Sequence, residues 1–154
     1  MLMIRLLNSK VVVLGLAIAI VLTGLLLNST SSSDEDRFPR PDPGFTGSAD
    51  CINGHFVANP SDETVIIYMS AYQWRYSYCS ITVFEGQEVI LKLKSVDIPH
   101  GIGIISIPEV DAFISPNAVS TVRFIATEKG EFEYFCTVFC GEGHPGHVGK
   151  LIVK

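Results

Sequence analysis

The sequence predicts an all-β domain, a Greek-key β-sandwich or small barrel, with one N-terminal transmembrane helix ahead of it. Three observations predict this. Apolar and polar residues alternate with a period of two in short runs along the C-terminal two thirds. Turn-forming Gly, Pro and Asn divide those runs at roughly 8–12-residue spacing, the rhythm of sandwiches and barrels. Nowhere in that region do apolar residues hold a helical period over three turns. The 154 residues are 47% apolar and 18% charged, which suits one folded domain and excludes a disordered chain.

In chain order, Arg5 and Lys10 precede a mostly apolar run, Val11 to Leu27, with no further basic residue before Arg37. A helix of this run reaches ~26 Å, just short of a bilayer core unless Leu6 and Leu7 extend it. Residues 1–28 are therefore expected to be a membrane anchor. A cleaved signal sequence is the rival reading, but the run exceeds a usual signal core and no A-x-A site follows. The positive-inside rule leaves Arg5 and Lys10 in the cytoplasm and exports the rest of the chain. Residues 29–46 are Ser-, Asp- and Pro-rich and read as a polar linker, with Asp34-Glu35-Asp36 solvated. Residues 47–154 are left for the β domain, long enough for its own core.

Within that domain the alternation is explicit. Val89, Leu91 and Leu93 face one way and Glu88, Ile90, Lys92 and Lys94 the other. Val122, Phe124 and Ala126 behave likewise, as do Phe132, Tyr134 and Cys136, and Leu151 with Val153. Thr64 to Ala71 and Ile102 to Ile107 are further β-branched runs. Glu85-Gly86-Gln87, Ser115-Pro116-Asn117 and Glu128-Lys129-Gly130 supply turns.

Charge narrows the function. There are 16 acidic residues against 11 basic, a net charge of −5. Setting aside Arg5 and Lys10 leaves nine basic residues and −7 on the exported part. An acidic chain is a poor nucleic-acid binder, because phosphate affinity comes from clustered Lys and Arg. It suits a basic protein partner through electrostatic steering.

Chemistry concentrates in the run from Cys136 to His147, CTVFCGEGHPGH, where two Cys and two His follow the end of a strand. His100 ends a second strand run. Thiolates with imidazoles select copper, zinc or an iron–sulfur centre over magnesium or calcium. The residues alone leave several outcomes open: a Cys136–Cys140 disulfide, a structural zinc site, a single blue-copper ion with one Cys to spare, or a site using both thiolates. A thiol oxidoreductase would need an alternating βα pattern that is missing.

The ordered pieces SVDIPHGIGI, VSTVRF, GEFEYFC and CTVFCGEGH followed by VGKLIVK, with AYQWRYSY upstream, resemble one family. It is the cupredoxin-like copper domain of cytochrome c oxidase subunit II, which carries the binuclear CuA centre. The layout with one anchoring helix is similar to that of B-type haem-copper oxidases. The resemblance implies that Cys136 and Cys140 bridge two copper ions. It implies that His100 and His144 each bind one copper, and that the Val138 carbonyl is a weak ligand. The remaining family ligand is a Met three residues after the motif His; here that position is His147.

His147 has three expected outcomes: a copper ligand, a side chain turned to solvent, or the mark of a site that has lost the binuclear centre. As a ligand it predicts pH sensitivity near the imidazole pKa of ~6.5. Trp74, the single Trp, is either a core aromatic or, by the resemblance, an exposed aromatic where electrons arrive. Cys51 and Cys79 are expected to pair with each other. The resemblance implies a membrane-bound oxidase subunit that takes single electrons from cytochrome c or a small copper protein. It would pass them to haem in a catalytic partner subunit. The alternative is a free-standing, membrane-anchored copper carrier.

Overall fold

The computed structural model describes residues 34–40 and 51–154. The anchor expected at 1–28 lies outside the described residues, and among those described no helix is long and apolar enough to cross a membrane.

Alternating β-branched and polar residues fold as ten described strands: β1 (His55–Val57), β2 (Thr64–Tyr72), β3 (Arg75–Tyr76), β4 (Ser80–Val83), β5 (Glu88–Ser95), β6 (His100–Ile104), β7 (Ile107–Ile114), β8 (Ser120–Ile125), β9 (Gly130–Phe135) and β10 (Val148–Val153). They form a six-stranded sheet in the order β1-β4-β10-β9-β6-β7 and a four-stranded sheet in the order β3-β2-β5-β8. Strands β2 and β5 run parallel, Thr64 opposite Glu88 through Ala71 opposite Ser95. Strand β10 is parallel to β4 and antiparallel to β9.

The side chains that alternation assigns to the inside are inside. Val65, Ile67 and Met69 join Val89, Leu91, Leu93, Val122 and Phe124 from the smaller sheet. Ile81, Val83, Ile102, Ile104, Tyr134, Leu151 and Val153 come from the larger one, and all belong to one core. Each such aliphatic side chain contributes about 1.5–3 kcal/mol when fully buried. The all-β expectation holds.

Two expectations need correction in detail. The run Ile102 to Ile107 is not one strand: it breaks at Ile105–Ser106, and β7 turns back along β6. The reason is burial, since all five β6 residues are buried whereas Ile105 is 79% exposed at the turn. A β-branched run does not reveal a two-residue turn inside it. The second concerns the polar segment. Asp34–Arg37 forms a short 3-10 turn, and Phe38 is buried with its ring edge-on to Tyr68, 5.3 Å between centroids. The Asp34 carboxylate accepts from Tyr68 Oη at 3.0 Å and from Lys92 Nζ at 2.5 Å. The Ser70 hydroxyl donates to the Pro39 carbonyl. This part of the expected linker is a strap on the smaller sheet.

Cys51 and Cys79 are disulfide-bonded, tying the chain before β1 to the chain before β4. Most important for function is one end of the interior strands β10, β9 and β6 of the larger sheet. Strand β9 lies antiparallel to both β10 and β6, with Phe135 opposite Val148 on one side and Gly103 on the other. The loop 136–147 between β9 and β10 therefore opens beside His100, the first residue of β6.

Candidate metal centre

The loop is shaped by its own backbone. Cys136 N–H donates to the His147 carbonyl at 3.0 Å, closing the loop across its base. Inside it, His144 N–H donates to Gly141 O and His147 N–H to His144 O, forming the turn His144–Gly146. Gly141 has φ +111°, a conformation open to glycine and disfavoured for other residues.

This brings the donors together. The sulfurs of Cys136 and Cys140 lie 4.0 Å apart, both buried and neither in a disulfide, so the Cys136–Cys140 bridge is not formed. His144 Nδ1 is 3.6 Å and His147 Nδ1 3.7 Å from Cys140 Sγ. One donor atom from each of His100, Cys136, Cys140 and His147 falls within 4.8 Å of the others. The Val138 carbonyl points at the same place, accepting from Cys136 Sγ at 3.1 Å. Of the six residues singled out in the sequence, four form this cluster, and His144 and the Val138 carbonyl each contact one of its sulfurs.

His147 is fully buried, its ring 4.3 Å from Tyr76 and 4.9 Å from His100, which removes the solvent-facing outcome. Its titration also departs from expectation. Burial first, then the neighbouring His100, pulls the imidazole down to about 3, so it is neutral across the range where switching near 6.5 was expected. Burial, reinforced by Cys136, pushes the Cys140 thiol up to about 12.

The pocket fits a soft metal on its own chemistry. His100 Nδ1 and His147 Nε2 are buried with no hydrogen-bond partner, and an unpartnered buried polar atom is costly. A metal ion is the partner that two imidazoles and two sulfurs best accommodate. The Gly101 N–H also donates to Cys136 Sγ at 3.4 Å, which ties that sulfur to β6.

Sequence reasoning singled out Trp74 as a core or electron-entry aromatic and missed that it and Gln73 hold the loop. Gln73 Nε2 and Trp74 Nε1 both donate to the Cys140 carbonyl, at 2.8 and 2.9 Å. Trp74 is half-buried against Gly143, where a Cβ would sit 2.3 Å from the indole. It is neither a core aromatic nor free of the loop. Asp97 was also missed; its carboxylate meets His100 Nε2 at 2.8 Å. Its position three residues ahead of His100 was the available signal. Phe139, between the two Cys, is 78% exposed with its ring 5.7 Å from His144.

No protein-family model matches the chain. Among solved structures, a haem-copper terminal oxidase dimer contains a chain similar to this one, with TM-score 0.59 and 21% identity, covering 96% of this chain and 100% of that one. The periplasmic domain of subunit II of cytochrome oxidase from Bradyrhizobium japonicum matches with TM-score 0.53 and 17% identity, over 60% of this chain and 84% of that one. These likenesses support the cupredoxin-like fold. Cytochrome c oxidase subunit 2 from Thermus thermophilus is 32% identical over 106 residues, 69% of this chain and 76% of that protein. On that identity and coverage, the chain belongs to the cytochrome c oxidase subunit 2 family.

Proposed function

We propose that this chain is the electron-accepting subunit of a haem-copper terminal oxidase, with a binuclear CuA-type centre of two copper ions at the β9–β10 loop. The observation that carries the reading is the convergence of two free, buried cysteines with three histidines at one end of the interior strands β10, β9 and β6. Cys136 and Cys140 would hold the copper pair through their sulfurs, His100 and His144 through imidazole, and the Val138 carbonyl and His147 would be the remaining donors. When bound, the pair would supply a one-electron couple. The protein limits motion on electron transfer because both donor loops are pinned to strands and to the Cys140 carbonyl clamp. Electrons arrive from cytochrome c or a small copper protein and leave to haem in the catalytic partner subunit. Residues 1–28 anchor the chain in membrane lipid, with the copper domain outside the cytoplasm.

The test is copper content with electron paramagnetic resonance on the full chain, together with haem analysis of what co-purifies in detergent. Two coppers, a multi-line delocalised spectrum and haem-bearing partners are expected. One observation favours a second reading: His100, Cys136, Cys140 and His147 alone form a buried quartet, while His144 is half-exposed. That set suits one tetrahedral ion in a free-standing copper carrier. A single copper with a four-line spectrum, purified without haem, selects it over the binuclear site.

A further inference from the structure

We propose that Asp97 is the positioning residue of this centre: its carboxylate decides which nitrogen of His100 faces the sulfurs and joins that histidine to the segment holding Cys140. The inference rests on the reading that the cluster binds copper, whether one ion or two.

The geometry is a continuous hydrogen-bonded bridge. Asp97 Oδ1 lies 2.8 Å from His100 Nε2, and an ionised carboxylate only accepts, so Nε2 carries the proton. Nδ1, buried and without a partner, is thereby left with its lone pair for a metal. The other oxygen, Oδ2, accepts from the Gln73 N–H at 2.7 Å. Gln73 in turn donates its side-chain amide to the Cys140 carbonyl at 2.8 Å. One carboxylate thus joins the β5–β6 connection, the β2–β3 turn and the ligand loop. Asp97 is itself held in place, accepting from Ile98 N–H at 2.7 Å and contacting Ser95 Oγ at 3.2 Å.

A carboxylate behind a metal-bound imidazole raises the basicity of the ligand and fixes its ring. The higher copper oxidation state gains more from this, so loss of the charge raises the reduction potential. Removing such a partner typically costs ~10–100-fold in metal affinity.

The experiment compares the full chain with Asp97→Asn and Val96→Ala. Copper(I) affinity is read by competition with bicinchoninate, and imidazole nitrogen couplings by pulsed resonance on the oxidised protein. Asn keeps the size of the side chain and removes its charge. Val96→Ala trims a 38% exposed side chain of the same connection and leaves the carboxylate and its hydrogen bonds. Asp97→Asn is expected to bind copper(I) ~10–100-fold more weakly, with one nitrogen coupling altered and the potential shifted upward. Val96→Ala is expected to keep the wild-type coupling. The inference is overturned if Asp97→Asn matches wild type in affinity and coupling, or if Val96→Ala reproduces its altered coupling. Copper content of the wild type reports on the centre and the ratio between variants on Asp97, so the two readings fail separately. A wild type that binds no copper overturns both.

Discussion

Gly143→Ala tests whether the Trp74 clamp governs the ligand loop. Gly143 has φ −82°, which any residue adopts, so backbone strain plays no part. The obstacle is the indole: an added Cβ would sit 2.3, 2.5 and 2.6 Å from three of its carbons. Carbon pairs rest at about 3.5–4.0 Å, so the ring must retreat by roughly 1.2 Å or more. That retreat stretches the 2.9 Å bond from Trp74 Nε1 to the Cys140 carbonyl beyond hydrogen-bonding range. Overpacking costs about 1–3 kcal/mol and the lost bond about 0.5–1.5. Replacing glycine recovers about 0.4–1 kcal/mol through the unfolded chain. A net loss of about 0.5–4 kcal/mol follows. Gly146→Ala is the matched control three residues away, because nothing lies within 4 Å of its added Cβ. It should be neutral or slightly stabilising. Trp74 is the single tryptophan, so its fluorescence during urea unfolding reads both variants directly. If Gly143→Ala unfolds at the Gly146→Ala midpoint with unshifted emission, the clamp does not govern the loop.

Four further outcomes follow from the same geometry. Cys51→Ser with Cys79→Ser opens a cross-link spanning 28 residues; chain entropy puts the loss at about 3–4 kcal/mol, read from urea midpoints. Tyr76→Phe removes the hydroxyl that donates to the buried Gly101 carbonyl at 2.6 Å. An unsatisfied carbonyl costs about 1–3 kcal/mol, and the visible copper spectrum should shift, because Gly101 N–H also contacts Cys136 Sγ. With the binuclear centre proposed above, His147→Met would exchange an imidazole donor for a softer thioether of similar bulk; the potential should rise and the two copper hyperfine couplings become more equal. The strap is acid-sensitive. Hydrogen bonds from Lys92 and then Tyr68 hold the Asp34 carboxyl below its usual 3.8. Its contribution is present above that value and lost as pH falls through the lower folded one. Phe38 and Tyr68 ring resonances should move together on acidification, and Asp34→Asn should show the acid-state shifts at neutral pH.

What could be read from the sequence follows from how far each signal reaches along the chain. Alternation is local, so strands such as Glu88–Ser95 and Gly130–Phe135 are visible without any knowledge of their partners. The short strands His55–Val57 and Arg75–Tyr76 exist only because a neighbour pairs with them, and no pattern of three or two residues announces that. The site divides the same way. Its donors are legible because soft metal ligands are rare residue types set close together in one loop, with His100 as the outlier. The groups that hold those donors in place are common residues brought in from other turns. Asp97 reads as a surface acid and Gln73 as a surface amide until β2, β5 and β9 place them beside His100 and Cys140. His147 shows the consequence for chemistry: as an isolated residue it is a group that titrates near neutrality, and its ring packing against Tyr76 and His100 converts it to a neutral donor. Donor identity is therefore a property of the loop together with His100, and donor behaviour a property of the sheets behind them. Replacing the loop in a related β-sandwich that already has a histidine at the His100 position should transfer copper binding without transferring the potential.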